Sequence, residues 1–444
     1  MSPATKDAGA RSQLLPKLGS LAPDHECRGA SVTGAVFNVS TSIIGAGIMS
    51  IPATLKVLGV VPALALIVGV ALLVDVSVEF LMRFTHSGEA TTYAGLMAES
   101  FGRFGSVLVQ ICITVLNLGC LIVYLIIIAD ALSGNQPAGS TTVHLGVLQE
   151  WFGVHWWNSR ACALLFLLVF VLLPLVLFRR VESLRYSSAV AVFLAVVFVG
   201  ISSVLAISAL FEGKTKSPRL LPDMDGANAS GFFELFTAVP VIVTAFTFHF
   251  NVHPIGAELG KPSDMISAVR ISLVLCAMIY FTIGFFGYLL FGDSIMPDIL
   301  VNFDRSSDTA IGAALNDVVR LSYALHLVLV FPLVNFSMRA NIDELLFSKR
   351  PLLAADTTRF LSLTCVLLVF SYLAAISIPN IWYFFQFVGS TFAVCVAFIF
   401  PGAIVLRYKL SLSLSLSHVH THSLVTCTRM WVHVNLLGEK LLRY

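Results

Sequence analysis

Ten apolar stretches constrain the fold of this 444-residue chain more than any other feature. Because about 20 apolar residues in a helix cross the hydrocarbon core of a bilayer, each stretch is predicted to span a membrane. Charged residues make up 12% of the chain, against about 25% in soluble domains, and the mean hydropathy is +0.89. The sequence therefore predicts an all-α polytopic membrane protein. The predicted spans are residues 33–55, 60–82, 106–131, 161–178, 187–211, 233–257, 269–291, 311–335, 358–378 and 381–405.

The distribution of Lys and Arg predicts the orientation. If the N-terminus is cytosolic, the tail and loops on that side carry 17 of the 27 basic residues, the opposite side carries 7 and the far C-terminal tail carries 3. Cytosolic segments are enriched in Lys and Arg, so the N-terminus is expected in the cytosol. A formal net charge of +2 gives no reason to expect a nucleic acid partner. Without a Cys-x-x-Cys pair, neither a metal nor a cofactor is expected.

The first span contains an interruption between Phe37 and Pro52. Gly45 and Gly47, followed by Pro52, weaken the helix at a depth where lipid offers the backbone no hydrogen-bond partner. Secondary transporters hold their substrates at such broken helices near the middle of the bilayer. The alternative is an unbroken span whose small residues pack against a neighbouring helix.

The sixth span is interrupted at a matching position. It carries a polar and aromatic run from Phe246 to Pro254, and His249 precedes Pro254 by five positions, as Gly47 precedes Pro52. Disturbed helices that open both halves of a ten-span chain predict a 5+5 inverted repeat with a binding site at the repeat interface. Coincidence is the alternative, since Gly and Pro are common in membrane helices.

This repeat divides the chain into a polar cytosolic tail (1–32), two five-helix repeats (33–211 and 233–405) and an atypical C-terminal tail (410–444). In the last segment Leu and Ser alternate from Leu410 to Ser417, and three histidines at alternate positions follow. Dinucleotide repeats encode such runs, so this tail is interpreted as translated non-coding sequence, such as a retained intron. A metal-binding His cluster is the alternative.

Residues 37–48, Phe-Asn-x-Ser followed by Ile-Ile-Gly-x-Gly-Ile, resemble the first-helix signature of the amino acid/auxin permease superfamily. The resemblance is strongest to plant vacuolar amino acid transporters related to the sodium-coupled neutral amino acid transporters. His249, Pro254 and Glu258 resemble the sixth helix of that group, and the resemblance covers about residues 30–408. It implies a leucine-transporter-type fold with broken helices 1 and 6. It also implies secondary transport of amino acids, driven by an ion gradient, across an internal, vacuolar membrane.

Three departures from the family pattern bear on the coupling ion and on the end of the chain. The family usually has eleven helices, whereas ten are predicted here, so the eleventh is expected to be missing or replaced. Sodium-coupled relatives carry a threonine two residues before the proline of helix 8, here Pro332, and this position is Val330, which cannot ligate a hard cation. The second asparagine of the first helix is replaced by Thr41, although Asn38 remains. A proton is therefore favoured over sodium.

An amino acid substrate presents a carboxylate and an ammonium group, and both are expected to bind at the breaks. Backbone N–H groups at the start of the second half-helix can receive the carboxylate, and carbonyl oxygens of both breaks can accept the ammonium. Phenylalanines of the sixth span are expected to shape the pocket, with ordinary lipid or core packing as the alternative, and His249 is expected to serve site structure or gating. Packing alone is the alternative for the glycines. The predicted substrate-binding residues are Ser42, Ile44, Gly45, Ala46, Gly47, Phe246, Thr247, Phe248 and His249.

The predicted ion-coupling residues lie inside spans, where a charge is costly and usually functional. His326 lies one turn before Val330 on the same face of helix 8 and can exchange a proton; an ordinary core histidine is the alternative. Asp75 shares a face with Glu79 and Arg83, which is also typical of an interfacial charge ladder. The predicted ion-coupling set is Asn38, Thr41, His326 and Asp75.

Two other functions remain open at this point. A membrane-bound amino acid sensor without transport would need a docking surface, and the loop predicted between spans 8 and 9, with Asn341, Asp343 and Glu344, offers one. An inactive, truncated splice product agrees with the unusual tail. An enzyme is not expected, because no metal-ligand set or nucleophile–base spacing is present.

Overall fold

Helices make up all the regular structure in the part of the chain that the structure describes. The computed structural model describes residues 31–87, 90–134, 144–178, 184–222, 229–259, 261–303, 310–347, 350, 353–378 and 381–408, and within them there is no β-strand. Eight helices are long and apolar enough to cross a membrane, and two half-helices joined at a 57° bend make one further span. A shorter apolar helix, Arg160–Val176, occupies the place of the predicted fourth span.

The helices are numbered α1 to α14 in chain order. The first span is broken into α1 (Val32–Ile43) and α2 (Gly47–Leu58), and the sixth into α8 (Ala229–Ala245) and α9 (His249–Gly256). The other spans are α3 (Val60–Ser87), α4 (Tyr93–Ser133), α6 (Arg160–Val176), α7 (Arg185–Phe211), α10 (Pro262–Phe291), α12 (Ala310–Phe347), α13 (Thr357–Ser377) and α14, which begins at Ile381 and ends at Tyr408. Two short helices, α5 (Val147–Phe152) and α11 (Ile299–Asn302), lie between spans.

The broken spans lie at the centre of the bundle. Every residue from 38 to 55 is buried, α2 packs against α8, and α1 packs against α9. The long helix α10 contacts α1, α2, α3 and α7, while α12 packs against α4 and α7. The outer helices expose apolar side chains, such as Leu72 (62%), Phe193 (65%) and Val366 (64%), as expected of surfaces that face lipid.

Two helices extend well beyond their predicted spans. Helix α4 begins at Tyr93, where Thr92 caps it by accepting a hydrogen bond from the N–H of Gly95 at 3.0 Å, and it kinks at Gly102, whose φ of 67° favours glycine. Hydropathy alone misses this first segment because it is amphipathic. The span predicted from hydropathy begins only at residue 106.

Helix α12 continues to Phe347 instead of ending near residue 335. Its last turns carry polar side chains that other helices satisfy: Asn341 donates to the carbonyl oxygen of Gln110 at 2.7 Å, and Asp343 pairs with Arg359 at 3.2 Å. The prediction that Asn341, Asp343 and Glu344 form a docking loop is therefore wrong, because these residues belong to a packed helix. The predicted tails at 1–32 and 410–444, and any eleventh helix, lie almost entirely outside the described residues.

Candidate functional site

The first break leaves backbone N–H groups without partners at the centre of the protein. Helix α1 ends at Ile43, and the N–H of Ile44 still donates to the carbonyl oxygen of Ser40 at 2.7 Å. Helix α2 then begins at Gly47, and no described residue accepts a hydrogen bond from the N–H of Gly45 or Ala46. Unpaired N–H groups at the start of a half-helix form an anion-binding site, because the helix dipole adds to them.

The second break lies at the position that the sequence predicts. Helix α8 ends at Ala245 and α9 begins at His249. Gly47 and His249 are thus each the first residue of a second half-helix, five residues before Pro52 and Pro254. The spacing common to both halves therefore marks the start of each second half-helix and confirms the broken helices 1 and 6.

The two breaks contact each other directly. A Cβ atom placed on Gly47 would lie 2.6 Å from the Cβ of Ala245 and 2.7 Å from its Cα, so only glycine allows this approach. The hydroxyl of Tyr280, on α10, lies 2.6 Å from the carbonyl oxygen of Ile43 and 2.9 Å from that of Ala245. One tyrosine hydroxyl therefore joins the ends of α1 and α8.

Two residues of α12 bind the remaining carbonyl groups of the first break. Tyr323 donates its hydroxyl proton to the carbonyl oxygen of Gly45 at 2.6 Å. The His326 ring lies between two carbonyl oxygens, with Nε2 at 2.9 Å from that of Ile44 and Nδ1 at 2.6 Å from that of Ala191 on α7. A carbonyl oxygen can only accept, and a neutral imidazole has one N–H, so only the imidazolium form donates to both.

A chain of side-chain hydrogen bonds joins α1, α9 and α12. Ser42 donates to the carbonyl oxygen of Asn38 at 2.7 Å and accepts from the Nδ2 of Asn251 at 2.9 Å. The Oδ1 of Asn251 in turn accepts from the hydroxyl of Ser337. Through its side chain, Ser42 therefore links the end of α1 to α9 and, by way of Asn251, to α12.

The other predicted residues of the sixth span are buried around the second break. His249 lies with its Nε2 at 3.1 Å from the hydroxyl oxygen of Ser77, which donates its own proton to the carbonyl oxygen of Ala397. Ser77 must therefore accept from the Nε2–H, and the Nδ1 of His249 has no partner among the described residues. Thr247 donates to the carbonyl oxygen of Val243 at 2.6 Å. Phe246 and Phe248 are fully buried, and the Phe246 ring packs edge-on against Tyr280.

The structure does not bring all of the predicted ion-coupling residues together. Asn38 is buried in α1 with its Oδ1 unpaired within the described chain, and Thr41 donates to the carbonyl oxygen of Ser188 at 3.0 Å. Asp75 lies away from the breaks, where the Nε of Arg270 contacts both of its carboxylate oxygens at 3.2 Å. The same arginine binds Glu79 at 2.9 Å, so Asp75 is part of a charge ladder.

Sequence reasoning missed Tyr280, Tyr323 and Asn251, which provide most of the side-chain contacts at the breaks. Their signal was weak but present: a buried tyrosine or asparagine in an apolar span requires a hydrogen-bond partner. Which partner it takes depends on helix packing, which one sequence does not provide. Within the described residues, no group of three His, Cys, Asp or Glu side chains is arranged to hold a metal ion.

Comparison with known proteins agrees with this geometry. The profile of the family described as transmembrane amino acid transporter protein matches residues 28–438. The chain is similar to amino acid transporter AVT6C of Arabidopsis thaliana, at 62% identity over 89% of this chain and 90% of that protein. It is more distantly similar to sodium-coupled neutral amino acid transporter 7 of Danio rerio, at 26% identity over 92% of this chain and 86% of that protein.

A solved structure confirms the fold independently. The substrate-bound, outward-open state of a Na⁺-coupled sialic acid symporter matches with a TM-score of 0.53 at 13% identity, over 85% of this chain and 78% of that one. A likeness at this identity supports the leucine-transporter-type fold, and the family match excludes the enzyme alternative. The chain belongs to the family of transmembrane amino acid transporter proteins.

Proposed function

We propose that this protein moves amino acids across an internal membrane by alternating access around the two helix breaks, and that protons drive the movement. The observation that carries the proposal is the contact between the breaks, where Tyr280 links the carbonyl groups of Ile43 and Ala245 beside the unpaired N–H groups of Gly45 and Ala46. Donors and acceptors of the backbone thus meet in one buried place, as a zwitterionic amino acid requires.

The substrate would bind with its carboxylate on the N–H groups of Gly45 and Ala46, at the positive end of α2. Its ammonium group would use the second lone pair of the carbonyl oxygens at the breaks, since each such oxygen can accept two hydrogen bonds. Because Gly47 packs against Ala245, a substrate reaches these groups only when α2 and α8 separate. Separation and closure of the half-helices is the movement that alternating access needs.

Two features support a proton as the coupling ion. His326 faces two carbonyl oxygens, one of them at the first break, so binding of a proton adds a second hydrogen bond between α12 and its neighbours. Val330, one turn further along α12, is fully buried, and its side chain has no oxygen to offer a sodium ion. His326, with Asn38 and Thr41 on the facing α1, is therefore our proposed coupling site. Asp75 remains a weaker candidate, because Arg270 already neutralises it.

The vacuolar location is proposed from the resemblance to plant vacuolar transporters, and the cytosolic N-terminus from the excess of Lys and Arg on that side. Both can be checked in one experiment with an N-terminal epitope tag. We expect the tag to purify with vacuoles and to be digested by protease added outside them. If protease digested the tag only after the membrane was permeabilised, the N-terminus would lie inside the vacuole and the predicted orientation would be wrong.

The coupling ion is tested by the uptake of labelled amino acids into proteoliposomes under an imposed pH gradient. We expect uptake to continue when choline replaces sodium and to stop when a protonophore collapses the pH gradient. Uptake that requires sodium and is unchanged by the protonophore would exclude proton coupling.

A further inference from the structure

Asp298 is a buried carboxyl group outside the membrane spans, in the segment between α10 and α12. Only 4% of the residue is exposed. Its Oδ1 accepts a hydrogen bond from the N–H of Leu300 at 2.9 Å, whereas its Oδ2 has no partner among the described residues. A buried carboxylate oxygen without a donor is costly, unless that oxygen carries a proton.

The segment Ile295–Phe303, which we call the plug, contains Asp298, and its short helix α11 packs against both α2 and α4. Ser50 of α2 donates to the carbonyl oxygen of Pro297 at 2.7 Å, so the plug is bonded to the second half of the broken first span. A cavity of about 10 Å³ is lined by Leu300 and Val301 of the plug and by Asp130 and Arg320 of the neighbouring helices. A cavity of this size is at the lower limit for one water molecule.

The cations near the plug are already paired with other groups. Arg160 pairs with Asp130. Arg320 binds Glu150, Asp317 at 2.7 Å and the carbonyl oxygen of Leu145 at 3.0 Å. His144 also lines the cavity, and Tyr323 is near enough to Asp298 to interact with it electrostatically. Within the described chain, no Lys or Arg forms an ion pair with Asp298.

These surroundings favour the neutral form of the carboxyl group. Burial, with a smaller contribution from Asp130, raises the pKa of Asp298 from its ordinary 3.8 to about 8, although the N–H of Leu300 acts in the opposite direction. If the plug opens and Asp298 becomes hydrated, its pKa returns toward the ordinary value and the proton leaves. The closed form then binds more protons than the open form between these two values, so closure weakens as the pH rises.

We propose that Asp298, beside Asp130, is a proton-binding site whose occupancy holds the plug closed against α2. The proposal rests on the proposed function, because the predicted orientation puts the plug on the non-cytosolic face. Through Ser50, opening of the plug is linked to movement of α2, one of the half-helices that must separate to admit substrate. Protonation of Asp298 would thus control access from the face opposite to the N-terminus.

The test measures how fast a cysteine in the plug reacts with a membrane-impermeant maleimide. Val301→Cys reports opening, because Val301 lines the cavity and is only 8% exposed. Leu220→Cys, at a position that is 64% exposed in the preceding loop on the same face, serves as the reference for thiol chemistry. The chain without either substitution gives the background from its own cysteines.

We expect the ratio of the two labelling rates to rise at least about tenfold between about pH 5 and pH 8.5 in the parent. Asp298→Asn keeps the oxygen that accepts from Leu300 and cannot ionise, so the ratio should stay low at every pH. Asp293→Asn is the matched control, since Asp293 lies just before the plug with its carboxylate 68% exposed, and it should behave as the parent.

Besides a labelling ratio in the parent that does not change with pH, two results with Asp298→Asn would overturn the proposal. One is a labelling ratio in Asp298→Asn that rises with pH as it does in the parent. The other is a labelling ratio that is high at every pH in that variant, since a neutral side chain at this position would then not keep the plug closed. Labelling requires no transport. A chain that labels as expected but moves no amino acid would refute the proposed function alone, whereas normal transport with pH-independent labelling would refute this inference alone.

Discussion

Tyr280 shows at the scale of one residue how the two breaks are held together. Its hydroxyl contacts a carbonyl oxygen at the end of α1 and another at the end of α8, while its ring packs against Phe246. In a membrane interior neither carbonyl oxygen can turn to bulk water. The hydroxyl therefore stabilises an arrangement of backbone that the helices alone do not satisfy.

We expect Tyr280→Phe to lower the free energy of unfolding by about 1–3 kcal/mol, because it removes the one hydroxyl proton that two buried carbonyl oxygens share and keeps the ring in place. Denaturant unfolding in detergent measures the change. Tyr372→Phe is the matched control, since it removes a hydroxyl that donates to Ala161 at 3.1 Å in an exposed place, and it should cost less than about 0.5 kcal/mol. If both variants lost the same free energy of unfolding, the hydroxyl of Tyr280 would stabilise the protein no more than an exposed hydroxyl does.

His326 is the residue on which the proposed proton coupling depends. We expect His326→Gln to reduce accumulation driven by a pH gradient at least about tenfold, because glutamine can still donate to one carbonyl oxygen but cannot carry a proton. Counterflow of labelled against unlabelled amino acid, without a gradient, should persist. His155→Gln, on the exposed surface between α5 and α6, is the control. If His326→Gln accumulated substrate under the pH gradient as well as the parent does, His326 would not be the coupling site.

At the scale of helices, the sequence predicts where the spans and their breaks lie better than it predicts which side chains contact each other. The number and order of the apolar spans follow from hydropathy, and the start of each second half-helix follows from the equal spacing of Gly47 and His249 before proline. The end of α12 does not follow, because its last turns depend on partners in other helices: Gln110 of α4, 231 residues away from Asn341, and Arg359 of α13. Tyr280 of α10 and Tyr323 of α12, which bind the breaks, were missed for the same reason.

Close packing between helices is testable at Gly389 of α14. A Cβ atom there would overlap the Pro240 carbonyl group and the Thr244 side chain of α8, whereas nothing lies within 4 Å of one placed on Gly402 in the same helix. We expect Gly389→Ala to destabilise the protein by about 1–3 kcal/mol through overpacking. Gly402→Ala should be neutral or slightly stabilising. Thermal unfolding in detergent compares the two variants. Equal melting temperatures would show that α14 accommodates the extra methyl group at residue 389 without loss of stability.

At the scale of the whole molecule, the proposed transport depends on movement between the two broken spans, because α2 and α8 contact each other at Gly47 and Ala245 and must separate to admit substrate. All of residues 38–55 are buried. Tyr280 of α10 contacts both breaks, and Tyr323 and His326 of α12 contact the first. The outer helices instead present apolar surfaces to lipid. This division between a polar, hydrogen-bonded centre and an apolar exterior is what a transporter fold requires.

The most direct test is uptake of labelled amino acids into proteoliposomes under an imposed pH gradient, with three chains compared. The parent should accumulate substrate. Gly47→Leu should lose uptake, because its side chain would push α2 away from Ala245 and cover the unpaired N–H groups. Gly200→Leu, at an exposed glycine of α7 with nothing within 4 Å, should transport as the parent does. Full uptake by folded Gly47→Leu would contradict the account, because the contact between the breaks would then have no part in transport.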